Sequence, residues 1–527
     1  MIDVTGEAAE DTAGTDATTA PVASEPTPTV DRRSLLRRPW AALLAVAGGG
    51  AVLAACDITS SPFRRSVHMV RRLTYGVTPA TRIWFEAHGE AAWLDEQLDP
   101  ARLNTSAVDS KLASFRSLSM TAPELLAAYP DTGSAAIAAG ELRIAAVIRA
   151  VESPAQLFER MVEFWSDHFN VTAQGRVQQL LKIVEDRDVM RTHALGRFKD
   201  LLVADASSPA MLLYLDNYLS KVGAINENYA RELLELHTLG HDNGYVYDDI
   251  VNTARLFTGW SIDSATQGGF LFRTANHDTG PITIMGWTRP STGSGYDHGV
   301  DFLHWLAMRP QTAEHVCRKL AVRFVADDPD PALITAMTNA WLSNDSRIIP
   351  VLRAMVAHPA FNSAAGKKFN RPLDYIAQML RALDARMSTS GSVTQYQAFG
   401  RVLSGLGQVP FSWPAPNGFP DTEPEWLSTG GLIARWNFVG DVLAGAYPTI
   451  TFDGGTFRSG LDGRTAAEIY DRTAEALVLE TMTDVGRSFL NTQTGWTDGY
   501  RPTAAEINAQ LPVIGIAILA SPDAQYR

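Results

Sequence analysis

Cysteine is nearly missing, with two in 527 residues. That excludes a disulfide scaffold and a cysteine-rich zinc site. Positive charge is in deficit: 45 Lys and Arg stand against 58 Asp and Glu, for a formal net charge of −13. Such a body is a poor match for nucleic acid, whose phosphates need surplus Lys and Arg, so no nucleic-acid partner is expected. Long apolar runs are also scarce. One uncharged stretch, the 16 residues Trp40 to Ala55, approaches membrane length, and it falls short of the ~20 residues a spanning helix needs. A multi-span membrane protein is thereby excluded. Gly-x-Ser-x-Gly, a P-loop and Gly-x-Gly-x-x-Gly do not occur in usable form, which leaves serine-esterase and nucleotide readings without support. What is present is ordinary globular composition, 46% hydrophobic and 20% charged. The length exceeds the roughly 250–300 residues at which one core stops growing, so more than one core is expected.

The N-terminus reads as an address. Residues 1–31 are rich in Thr, Ala, Pro, Asp and Glu and contain no aromatic residue, a composition expected to be disordered. Residues 32–55 then have the layout of an export signal: Arg32-Arg33-Ser34-Leu35-Leu36-Arg37-Arg38, the apolar run, and Leu53-Ala54-Ala55 before Cys56. The paired arginines resemble the twin-arginine signal, which exports folded proteins, and Leu-Ala-Ala-Cys resembles a bacterial lipobox with Cys56 as the lipidated residue. The alternative is a signal peptide cleaved nearby. The expectation is an exported protein, at the cell surface or on the periplasmic side of the cytoplasmic membrane, held by a lipid anchor. Removing residues 1–55 takes away four arginines and seven acidic residues, leaving a mature net charge of −10. Cys317 then has no intramolecular partner and reads as a small core residue.

Residues 56–527 predict a mainly α fold: a large multi-helix body with one short β-hairpin-like insertion, 261–299, and a Pro/aromatic-rich loop. Helical spacing of apolar residues runs through Val70–Leu98, Pro154–Val171, Val177–Leu201, Glu227–Leu239, Asp248–Trp260 and Ala466–Leu490, among others. In the insertion, Phe270-Leu271-Phe272 and Ile282-Thr283-Ile284-Met285 suggest two strands joined through Asn276–Gly280. Gln408–Trp426 holds five prolines among Phe411, Trp413, Phe419 and Trp426. It cannot be helix. It reads as a cover over the core or, functionally, as an aromatic platform for a glycan ligand.

Several residues are candidates for chemistry. On the helix Leu157–Asn170, His168 falls inside the apolar arc, either as a hydrogen-bonded core histidine or as a metal ligand. The opposite side, with Glu159, Glu163 and Asp167 beside Arg160, reads as a solvated face. On Asn226–Gly240, Glu227, Arg231 and Glu235 form an i, i+4, i+8 surface ladder. Glu232 and His237 flank the core stripe about 140° apart. Arg255 is the only cation of its apolar helix and needs a carboxylate, for which Glu232 is a candidate. His277, Asp278, Asp297 and His298 form the densest His/Asp grouping and read as loop residues. Histidine and aspartate there suit zinc or another divalent ion, although the spacing matches no compact metal motif.

Taken in order, these segments resemble the bacterial family known as domain of unknown function 1800. The pieces are His68-Met-Val-Arg-Arg-Leu-Thr-Tyr-Gly76, Glu163-Phe-Trp-Ser-Asp-His-Phe169, Asn228 to Gly240, Ala254-Arg-Leu-Phe-Thr-Gly-Trp260, His277-Asp-Thr-Gly280, Arg323-Phe-Val325, Arg371-Pro-Leu-Asp-Tyr375 and Leu406-Gly-Gln-Val-Pro-Phe411 with Trp413-Pro and Asn417-Gly. The resemblance implies a largely helical, exported protein, often with a twin-arginine signal, whose genes commonly neighbour those of a sulfatase-like family, which makes a sulfatase-like neighbour protein a candidate partner. It supplies no catalytic residue. The family tends to carry a lysine shortly after His-Asp-Thr-Gly, where this chain has Pro281-Ile282-Thr283.

Two functions compete on this reading. One is a metal-assisted hydrolase outside the cytoplasm, with His168, His237, His277 and Asp278 holding the ion, Glu232 as general base and Arg255 beside it. The other is a non-catalytic surface lipoprotein that binds a glycan or a partner through the Pro/aromatic loop. Convergence of the His and Asp side chains on one point would favour the first; dispersed histidines together with an exposed Trp413–Trp426 patch would favour the second.

Overall fold

The computed structural model describes residues 62–263, 268–390, 393–479 and 482–527. The N-terminal extension, the stretch 32–55 expected to be an export signal, and Cys56 lie outside them. Among the described residues helix dominates, and strands form three two-stranded antiparallel sheets. The principal helices are α1 (Pro62–Leu73), α2 (Pro79–Gln97), α3 (Thr132–Glu152), α4 (Gln156–His168), α5 (Arg176–Glu185), α6 (Phe198–Ala206), α7 (Asn228–Glu232), α8 (Tyr247–Leu256), α9 (Gly295–Ala307), α10 (Pro310–Phe324), α11 (Pro331–Ser343), α12 (Ile348–Ala357), α13 (Pro372–Ala382), α14 (Thr429–Leu443), α15 (Ala466–Val478), α16 (Asp484–Thr494) and α17 (Ala504–Leu519).

Several expected helices are broken, each for a local reason. Val70–Leu98 divides into α1 and α2. Gly76 sits between them at φ 145°, where a Cβ would come within 2.7 Å of the Gln378 backbone. Thr78 then caps α2, its hydroxyl accepting from the Thr81 N–H at 3.0 Å, with Pro79 at the first helical position. Val177–Leu201 divides into α5 and α6, because the chain leaves the helix at Gly196 and Phe198 N donates to Ser346 O at 2.9 Å. Both α5 and α7 run on into wide π-helical turns, Asp186–Met190 and Leu233–Thr238. Ala466–Leu490 divides into α15 and α16, α15 ending at Leu479 in the left-handed conformation.

The insertion holds two hairpins rather than one. Strand β1 (Trp260–Asp263) pairs with β2 (Gly269–Phe272), and β3 (Thr283–Ile284) with β4 (Trp287–Thr288). Phe270–Phe272 therefore pairs backwards to Trp260, which is fully buried. Met285 and Gly286 both adopt positive φ, the geometry of a two-residue hairpin turn. Asp297 and His298 are not loop residues: they lie in the first turn of α9, where Ser294 and Asp297 form a capping box.

Two large cores result. The first gathers Leu157, Met161, Trp165, Leu201, Leu233 and Phe302. The second gathers Ile148, Ile376, Leu380, Phe438, Tyr470 and Ile514. Helix α4 belongs to the first and α13 to the second, and the polar side of α4 meets the start of α13. Cys317 is buried and free in the first core, as expected.

Candidate functional site

The polar side of α4 is not solvated. Its apolar side fills the first core, and its charges are enclosed by arginines from elsewhere in the chain. Arg371, fully buried at the start of α13, pairs with Glu163 and, at 2.9 Å, with Asp167. Arg323, on α10 and also buried, meets Asp167 at 2.5 Å and Asp421 at 2.5 Å. Arg160 pairs with Asp374, which Arg527 also reaches at 3.0 Å. Tyr75 OH donates to Glu163 at 2.8 Å, and Glu159 takes a two-pronged pair from Arg191 at 2.7 and 2.9 Å. Such enclosure costs desolvation that only dense pairing offsets. Burial drives Asp167 above the usual carboxylate range despite Arg323 and Arg371. Burial acts the same way on Asp421, but Arg323, Arg371 and Lys368 outweigh it and hold that group low.

This network fixes the Pro/aromatic loop. Asn170, just past α4, donates to Trp413 O at 3.0 Å and Ala415 O at 2.7 Å. Ala173 N donates to Phe411 O at 2.8 Å, and Tyr214 OH to Pro414 O at 2.8 Å. Asp421 enters the network through its side chain, and its carbonyl accepts from Lys368. Glu423 N donates to Asp327 at 2.7 Å. Gly418, at φ 73°, lies so close that a Cβ would stand 2.0 Å from Asp167 O. Between α4 and the loop is a cavity of ≈ 40 Å³ lined by Glu163, Ser166, Asp167, Gln408 and Phe411, room for roughly a water or two. The loop is thus a cover. Phe419 is buried on its inner side, with the half-buried Trp413 and Trp426 beside it, ring centres 5.1 and 6.1 Å away.

The other predicted residues fall in three places. His168 and His237 are neighbours, both fully buried, with rings 6.2 Å apart. His168 Nε2 donates to His237 O at 3.0 Å, which leaves its Nδ1 without a partner; both ring nitrogens of His237 are unpartnered. Burial, with Lys319 nearby, lowers His168 strongly and His237 to about 3. His277 and Asp278 lie with Arg255 at the insertion. Arg255 Nε meets Asp278 at 2.8 Å, and His277 Nδ1 donates to Thr258 O at 2.8 Å. The carboxylate partner of Arg255 is therefore Asp278, not Glu232. Glu232 is half-buried at the end of α7 rather than enclosed, and burial followed by Glu235 raises it. The ladder Glu227–Arg231–Glu235 forms as expected, with both spacings 3.6 Å. Among the described residues no three His, Cys, Asp or Glu side chains come together to hold a metal ion. His168, His237, His277 and Asp278 do not assemble into one centre there.

A family model described as "Protein of unknown function (DUF1800)" matches residues 68–526. The chain belongs to the DUF1800 family. No match is found among curated proteins or among solved structures.

In this DUF1800 protein, segments far apart in sequence meet at α4. Glu163 and Asp167 come from one, Arg323 from a second, Arg371 and Asp374 from a third, and Gln408 to Gly418 from a fourth. Residue reasoning missed this centre because an i, i+4 acidic pair looks the same on a solvated face as under a cover. The available signal was faint: on stretches that also carry Arg318, Lys319 and Arg381, Arg323 and Arg371 sit beside apolar residues. Each needed a carboxylate, and α4 had carboxylates to spare.

Proposed function

We propose that this DUF1800 protein is exported folded, tethered by lipid at Cys56, and binds a glycan outside the cytoplasm on the Trp413–Trp426 row, with Phe419 buried behind it. The observation that carries the binding reading is that this row is held from beneath by the α4 charge network. Trp413 Nε1 donates to Asn417 at 2.9 Å and Trp426 Nε1 to Pro420 O at 2.9 Å. Both rings are half-buried and their polar edges are satisfied, so a stacking ligand would leave no N–H without a partner. A surface already ordered loses little entropy when it binds. A sulfatase-like neighbour protein remains a proposed partner, on the family resemblance. Calorimetry of the full chain against a panel of soluble polysaccharides tests the reading. Binding should fall at least tenfold in Trp413→Ala with an unchanged melting temperature. Equal binding by that variant, or no binding to any polysaccharide, refutes it.

A metal-assisted hydrolase with Glu232 as general base is the second reading. It is favoured by His168, whose Nε2–H is spent on a backbone carbonyl, as metal-ligating histidines commonly are. Metal analysis of the purified full chain decides it. A stoichiometric divalent ion such as zinc, lost in His237→Ala, supports this reading; a chain purified without one argues against it.

A further inference from the structure

A second surface of the protein, on α9, carries a site unrelated to the α4 centre. Asp301, His304 and Trp305 stand at i, i+3 and i+4 on this helix and so share one face. The chain then leaves the helix through Met308 and Arg309. Trp287 of β4 closes one side, its Nε1 donating to Asp301 at 2.9 Å. Lys199 from the first turn of α6 closes another, its amine 2.7 Å from both oxygens of Asp345. Together these seven residues line an open cavity of ≈ 360 Å³, within the ordinary size of a small-ligand site.

The chemistry of the lining is specific. The apolar part is modest: Trp287 is buried, Trp305 has Phe302 stacked at 5.8 Å, and Met308 is half-buried. Arg309 lies over the Trp305 ring at 4.8 Å. Its Nε is buried without a hydrogen-bond partner, and among the described residues no carboxylate lies within ion-pair distance of its guanidinium. Lys199 is already paired, and Asp301 has spent one oxygen on Trp287. An uncompensated guanidinium, pre-oriented by stacking, matches a carboxylate in planar, two-pronged fashion. The hydroxyls of a sugar ring match the second oxygen of Asp301 and the imidazole of His304. Burial, then Lys199, lowers His304, so at neutral pH it meets hydroxyls as an uncharged donor and acceptor.

We propose that this cavity binds a uronate, a sugar unit bearing a carboxylate, with Arg309 on the carboxylate and Asp301 and His304 on the ring hydroxyls. The site is separate from the Trp413 row, and the proposal does not depend on that row binding anything.

The test is calorimetric titration of the full chain with oligogalacturonate and with its methyl ester, which keeps the sugar and loses the charge. Saturable binding of the acid, at least tenfold tighter than of the ester, is expected. Arg309→Met should abolish that preference, and Arg309→Lys should restore part of it. Trp413→Ala should leave it intact. Equal affinity for acid and ester, or an undiminished preference in Arg309→Met, overturns the proposal. Circular dichroism melting of each variant separates loss of the site from loss of the fold: a variant melting with the native chain and keeping the preference counts against the proposal.

Discussion

At the scale of single residues, the structure turns on charges placed where water is absent. Arg371 is the clearest, since it touches Glu163, Asp167, Asp374 and Asp421. Arg371→Met leaves those carboxylates short of a partner and should cost about 3–5 kcal/mol in urea denaturation. A loss below ~1 kcal/mol would mean the network is not a keystone. Asp205 behaves in the opposite sense. It is fully buried and neither oxygen has a partner. Burial, followed by Glu185, raises its carboxyl well above the usual range, and Lys182 only partly opposes this. The folded chain therefore keeps a proton that the unfolded chain releases near ~3.9. Stability from this group is greatest in acid and declines as pH rises from about 4 toward the folded value. Asp205→Asn should flatten that decline and melt above the native protein at pH 8, read by thermal scans across pH. A variant with the native pH profile would show that Asp205 is satisfied in some other way. Gly418→Ala should destabilise by about 1–3 kcal/mol, as overpacking does, because its Cβ would stand 2.0 Å from Asp167 O.

At the scale of elements, apolar periodicity read the helices well where burial is one-sided. Helices α4, α10, α12 and α13 all lie within or beside the stretches it marked. It failed where the backbone, not the pattern, decides. The break at Gly76 comes from close approach to Gln378, which no local spacing contains. The pairing of β2 with β1 depends on Trp260 being needed in the core, a long-range requirement. The π-helical turn carrying His237 shifts that residue off the expected helical face. Among site residues, the burial of His168 was legible from the arc it shares with Leu157 and Trp165. The fate of Glu163 and Asp167 was not, because their arginine partners lie 156 to 208 positions away. The Pro/aromatic loop was legible as an ordered cover from composition alone, and what holds it in place was not.

At the scale of the whole molecule, a proposed export address precedes a body whose Pro/aromatic loop is held by buried charge. Replacing Arg32 and Arg33 by lysine should leave precursor in the cytoplasm, read by fractionation and immunoblot, and normal export would remove the twin-arginine reading. Cys56→Ala should abolish labelling by a palmitate analogue. The central claim is that the charge network between the two cores holds the loop 408–426 as a rigid surface. Amide hydrogen exchange of that segment tests it most directly, comparing the native chain with Asp421→Ala, which removes the loop's link to Arg323 and Arg371. The account predicts slow exchange in the native loop and at least tenfold faster exchange in the variant, with the amides of α4 and α13 little changed. Native loop amides exchanging at the rate of an unstructured peptide, or a loop indifferent to Asp421→Ala, would contradict it.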